Sequence, residues 1–163
     1  MTATDSTIPT RAPAWRWPLA YLATAAVFLT MDAGWLSATS ASLYQPAIGH
    51  LMAATVDWRA VAAFYPLYIA GLVVFAVAPA LSSEQGGRNS RATVWPALWR
   101  GAFFGLLAYA TYDFTNQATL RDWPWTITLI DLAWGATVSG IASAVGAAAT
   151  AATCRRARRT SAR

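Results

Sequence analysis

The chain has no lysine, one cysteine and one histidine among its 163 residues. Each shortage closes off a class of chemistry. The lone Cys154 excludes an intramolecular disulfide and a metal site built from cysteine alone. One histidine, His50, with scattered acids is poor ligand spacing, so neither a metal nor a cofactor is expected. No phosphate loop, dinucleotide fingerprint or Ser-His-Asp arrangement is present either. Charge is scarce as well: charged residues make up 12% of the chain, against ~25% in ordinary soluble domains.

What replaces charge is apolar surface, at 56% of residues, and it is gathered into long windows. A bilayer crossing needs roughly 20 such residues. Four windows qualify, at about 18–43, 59–81, 96–120 and 125–153. None alternates, and four strands cannot close a barrel, so the spans are expected to be helices. The fold class read from the sequence is therefore all-α, an integral membrane four-helix bundle. Its single membrane domain covers 18–153, between an N-terminal tail at 1–17 and a basic tail at 154–163. The first window resembles a secretory leader, with Arg11 and Arg16 ahead and SATSAS behind. Asp32 interrupts it and WRW flanks it, so it is read as a retained span.

Arginine placement predicts orientation. Ten of the twelve arginines fall in the two tails or in and beside the loop SSEQGGRNSR, leaving Arg59 and Arg121 on the other side. The positive-inside rule then puts both termini in the cytoplasm, as expected in a bacterial inner membrane. The net charge of +5 is accordingly assigned to topology and anionic lipid, and no nucleic-acid partner is expected. Tryptophan marks the boundaries: Trp15, Trp17, Trp95 and Trp99 at the inner interface, and Trp58, Trp123 and Trp125 at the outer one. Anchoring leaves Trp35 and Trp134 unexplained.

Those two tryptophans follow aspartates. Asp32 in VFLTMDAGWL and Asp131 in TLIDLAWGAT both open an Asp-x-x-Trp pattern, and Asp113 lies in AYATYDFTNQ. An acid at membrane depth costs roughly 2.5–3.5 kcal/mol, so each needs a partner or a role. Counting 1.5 Å per residue from the outer ends, Asp113 and Asp131 lie about 10 Å deep and Asp32 about 15 Å. Tyr65 and Tyr68 on the second helix reach about the same level as the shallower pair, near 10 Å. Tyr109, Asp113 and Asn116 share a face of the third helix, and Tyr112 pairs with Asn116 at i, i+4. Indole N–H and phenol O–H groups donate to carboxylates, whereas no Arg, Lys or His lies deep enough to neutralise them.

The candidate chemical residues are therefore Asp113 and Asp131, with Asp32 polarising them. Asn116, Tyr109, Tyr112, Tyr65, Tyr68, Trp35 and Trp134 are the candidate ligand-binding set. The plain alternative is interhelical glue, worth about 0.6 kcal/mol per contact. Elsewhere, Gly101 and Gly105 form a GxxxG, and SGIASAVGAAATAA continues the last helix, both read as close-packing surfaces. Pro66 is expected to kink the second helix. His50, in YQPAIGHLMAATVDW, could reach the site mouth with Tyr44 and Asp57, but is read first as part of a solvated outer loop.

The stretches FLTMDAGWL, LYQPAIGHLM, FYPLYIAGLVVFAVAPAL, GLLAYATYDFTNQATL and DWPWTITLIDLAWG resemble the DUF2177 family of predicted bacterial membrane proteins. They cover most of Leu29 to Gly135. The resemblance implies a four-helix membrane fold and assigns no mechanism. The first functional expectation is a site in the outer half of the bilayer that binds or acts on a lipid or apolar small molecule. The alternatives are a proton-coupled carrier or channel working as a homo-oligomer, and a structural or assembly subunit of a membrane complex. Membrane lipids are the expected partners, and whether a reaction is catalysed stays open.

Overall fold

A computed structural model describes residues 13–83 and 91–161, and the described elements are all helical. The polar loop at 84–90 and the ends at 1–12 and 162–163 lie outside the described residues, and with them Arg11, Arg88 and Arg163. Helix α1 is Arg16–Thr39; Pro18 falls in its first turn, where no N–H has an intrahelical partner to lose. The helical path does not stop there. A π-helical turn at Ser40–Tyr44 leads into α2, Gln45–Ile48, and a 3-10 turn at Gly49–Leu51. The segment expected as a loop from Tyr44 onward is thus helical as far as Leu51.

Helix α3, Trp58–Leu72, starts at Asp57, whose carboxylate accepts from the Arg59 backbone N–H at 2.9 Å. It passes through Pro66 and enters a second π turn at Val73–Val77 before α4, Ala78–Ser83. Both π turns end two residues before a proline, Pro46 and Pro79. The cause is steric. A proline ring clashes with the carbonyl four residues back, and one extra residue in the turn moves that carbonyl aside. Helix α5 is Arg91–Thr119, and α6 is Trp125–Ser161, which carries the basic stretch Arg155–Arg159 as a helical extension. Asp122, with φ 59°, turns the chain between them.

Two apolar clusters fix how the helices lie. One joins Ala20 of α1, Val77 and Ala80, Ala97 of α5, and Ala147 and Ala151 of α6. The other joins Phe28, Tyr68, Leu72, Val138 and Ala142. The early part of α1 and the late part of α6 therefore share one end, and the long helices alternate in direction. Helices α5 and α6 pack most closely, through the glycines read as packing residues. A Cβ on Gly105 would strike the Gly135 carbonyl and the Ser139 hydroxyl; one on Gly101 would strike the Ser143 side chain and, at 2.6 Å, the Ser139 carbonyl. Gly146 of α6 likewise faces Thr24 of α1.

Polarity is inverted relative to a soluble protein. Asp32, Asp113, Asp131, Thr24, Ser139 and Ser143 are buried, while Leu22, Leu67, Phe75, Phe103, Leu107 and Leu129 face outward. An apolar exterior of this extent suits a lipid environment. Three helical segments are long and apolar enough to cross a membrane: Arg16–Leu51, Trp58–Ser82 and Trp125–Thr160. Trp15, Trp17, Trp58, Trp95, Trp99 and Trp125 are exposed, as boundary residues should be. Trp123 is the correction. It is only 6% exposed, because its indole N–H donates to Thr128 Oγ1 at 3.0 Å. Thr128 in turn donates to Gln117 Oε1, and the Gln117 amide returns to the Trp123 carbonyl.

Candidate functional site

The two Asp-x-x-Trp patterns meet each other across α1 and α6. Trp134 Nε1 donates to Asp32 Oδ1 at 3.2 Å, and Tyr65 from α3 donates to Asp32 Oδ2 at 2.6 Å. Trp35 stacks on Trp134, with ring centroids 4.4 Å apart and planes 11° from parallel. In the other direction Trp35 Nε1 donates to the Tyr44 hydroxyl at 3.0 Å, and that hydroxyl donates to Asp131 Oδ1. Each aspartate is therefore reached by the tryptophan of the other copy, once directly and once through Tyr44. The spacing explains the stack: three residues after each aspartate lies the same side of its helix, one turn on.

Tyr68 is buried one layer away and shares a 2.8 Å hydrogen bond with Ser139 Oγ. It meets Tyr109 edge-on at 6.4 Å, and the Tyr109 ring lies over Gly135, where any Cβ would collide with it. Gly135 is thus what lets an aromatic ring approach α6 beside Asp131.

Asp113 differs from the other two acids. It is 0% exposed, and neither carboxyl oxygen has a hydrogen-bond partner among the described residues. Among the described residues the one ion pair is Asp57–Arg59, at 3.3 Å on the surface, so no arginine compensates Asp113. A buried carboxyl without partners is costly and rare, which marks this position.

Its chain neighbour Tyr112, and not Asp113 itself, lines a partly open crevice of about 360 Å³. Ile48, Met52 and Val56 form one wall, and Tyr112, Asn116 and Trp123 the other. Asn116 lines it beside Tyr112, four residues before it on α5, and sits one helical turn from Asp113. Tyr112 and Trp123 meet edge-on at 5.9 Å. The roof segment thus has two contacts: Tyr44 reaches the acids, and Ile48, four residues on, reaches the crevice.

The family model described as a predicted membrane protein, DUF2177, matches residues 17–148, more than three quarters of the chain. The chain belongs to this family. No curated protein and no solved structure matches it. The match takes in every residue of the aspartate, tyrosine and tryptophan cluster in this DUF2177 protein. Of the residues singled out in the sequence, Asp32, Trp35, Tyr65, Asp131 and Trp134 are joined in one hydrogen-bonded and stacked assembly. Tyr112 and Asn116 line the crevice instead, and Asp32 bonds to Tyr65 and Trp134 rather than to either acid. Ser139 was missed, and Tyr44 was weighed only as a loop residue beside His50 that could reach the site mouth. Tyr44 stood in a segment read as loop, and Ser139 in a run read as packing alone. Among the described residues of this DUF2177 protein, no three His, Cys, Asp or Glu side chains are grouped as metal ligands.

Proposed function

We propose that the protein is a four-span inner-membrane protein, with both termini cytoplasmic, that binds a lipid or other apolar small molecule. The site is the crevice and the acid beneath it, in the outer half of the bilayer. Helix α5 is the fourth span: it is 29 residues long and packs along α6 through Gly101 and Gly105. The arginine asymmetry supports the orientation.

The observation that carries this reading is Asp113. Asp32 and Asp131 are already occupied by Tyr65, Trp134 and Tyr44, and serve as interhelical glue that holds the site in shape. Asp113 keeps its two oxygens free of hydrogen-bond partners among the described residues, one position along α5 from Tyr112, which lines a crevice with Asn116 and an apolar wall. A few convergent polar groups inside an apolar recess is the usual make-up of a small-molecule site. A proton relay fits less well, because the far cluster of Ala20, Val73, Val77, Ala97, Ala147 and Ala151 is apolar and the buried polar groups toward that end, Thr24, Thr93, Ser143 and Thr150, are hydroxyls without a carboxyl among them.

The test is purification of wild type, Asp113→Asn and Asp131→Asn in a mild detergent, with mass spectrometry of what co-purifies. A defined species held by wild type and missing from the folded variants is expected. An identical phospholipid background in all three would sink the ligand site and leave the structural role.

A further inference from the structure

We infer that the ligand of the crevice is uncharged: an apolar chain whose polar group is a hydroxyl or a carbonyl, met by Tyr112 and Asn116. The inference rests on reading the crevice as a ligand site and names the chemistry which that site accepts. The lining decides it. Among the described residues along the crevice, Asp57 alone carries a charge. That carboxylate stands at the rim and is already engaged. Its side chain is 59% exposed, and its Oδ1 accepts from the Arg59 backbone N–H and faces the Arg59 guanidinium at 3.3 Å. The other polar groups are neutral: the Tyr112 phenol, the Asn116 amide and the Thr55 hydroxyl.

Level gives a second reason. Tyr112, Asn116 and Leu120 follow at i, i+4 and i+8 along the outer end of α5, and all three line the crevice. Leu120 closes that end, where its backbone N–H donates to the Asn116 carbonyl at 2.8 Å. At 1.5 Å per residue, Asn116 lies about 6 Å and Tyr112 about 12 Å inward of it. With α5 as a span, an ionised group brought to that level leaves its water behind and finds no counter-charge in the lining. A hydroxyl or carbonyl loses less and is met better. An amide carries two N–H donors and an acceptor oxygen, and a phenol carries a donor and an acceptor. The pair can therefore donate to a carbonyl, or donate to and accept from a hydroxyl, without any proton being gained or lost. Trp123 adds nothing to that supply, because its indole N–H is held by Thr128. Ile48, Leu51, Met52 and Val56 provide the apolar contact for the chain.

Wild-type protein in maltoside micelles, titrated at neutral pH with dodecanol, dodecane, dodecylamine and dodecanoate, tests this by calorimetry. Dodecanol is expected to bind about tenfold tighter than the amine or the carboxylate, since a charge without a partner at this level costs more than a hydrogen bond returns. Asn116→Leu removes the amide at similar size, and Tyr112→Phe removes the hydroxyl while keeping the ring against Trp123. Each is expected to weaken dodecanol about three- to tenfold and to leave dodecane unchanged. Dodecylamine or dodecanoate binding as tightly as dodecanol would overturn the uncharged ligand and keep the site. Dodecanol affinity unmoved in both variants would overturn the part given to Tyr112 and Asn116. Binding of none of the four would overturn the ligand site itself as well. The wild-type series decides the question of charge even where a variant fails to fold.

Discussion

Two glycine-to-alanine changes should move stability in opposite directions. Gly34 is exposed on α1, and an added Cβ there meets nothing within 4 Å. Removing a helical glycine's backbone freedom is worth about 0.5–1 kcal/mol, so Gly34→Ala should stabilise. Gly105 receives the same gain, but its new methyl drives into the Gly135 carbonyl. That obstacle is backbone and cannot rotate away, so α5 and α6 must separate. A backbone obstacle puts the overpacking in the upper part of the usual range, about 2–3 kcal/mol, leaving a net loss of about 1–2.5 kcal/mol once the helix gain of ~0.5–1 is subtracted. At ~2–4 °C per kcal/mol for a chain of this size, Gly105→Ala should melt ~2–10 °C below wild type and Gly34→Ala ~1–4 °C above it. Tryptophan fluorescence during a thermal ramp in detergent reads both, since Trp35 and Trp134 are stacked in the folded state. If Gly105→Ala melts at or above wild type, the close contact of α5 and α6 is wrong.

Tyr65→Phe removes one of the two hydrogen bonds that Asp32 accepts. The loss should be about 0.6–1.5 kcal/mol, between the membrane average and the lower bound for charged acceptors in water, measured as the same melting shift. Tyr44→Phe breaks the bond to Asp131 and the bond from Trp35 together, so it should cost about twice as much. Thr24→Val deletes a buried hydroxyl that lacks a hydrogen-bond partner and keeps its shape; it should leave the melting temperature unchanged or slightly raised.

The helices were legible in the sequence because apolar length is a local property. So was the importance of Asp-x-x-Trp, since neither Trp35 nor Trp134 falls at a helix end. The partners were not legible. That Trp134 bonds Asp32, and that Trp35 reaches Asp131 through Tyr44, depends on how α1 crosses α6, which no single helix encodes. Counting depth brought the acids to one level but could not show that Asp113 stands apart from the bonded pair. Trp123 was misplaced for a related reason: its position at a span end matched a belt residue, while its indole turns inward to Thr128. Tyr44 was hidden by Pro46 and Gly49, which mark a loop wherever the helix cannot bulge around the proline.

The π turn at Ser40–Tyr44 acts as a phase shift. In an unbroken α-helix, nine residues advance the chain by about 900°, which leaves Trp35 and Tyr44 on opposite sides of the axis. Their 3.0 Å hydrogen bond spans the wider turn, which changes the phase between them. One extra residue therefore sets the angle at which the whole roof, from Tyr44 to Leu51, comes down over α5 and α6. Deleting the exposed Ala41 would rotate that roof by about 100°, carrying Tyr44 off Asp131 and Ile48 off the crevice together. No residue that touches either would have changed. The spacing of this short stretch is as much a part of the site as any side chain in it.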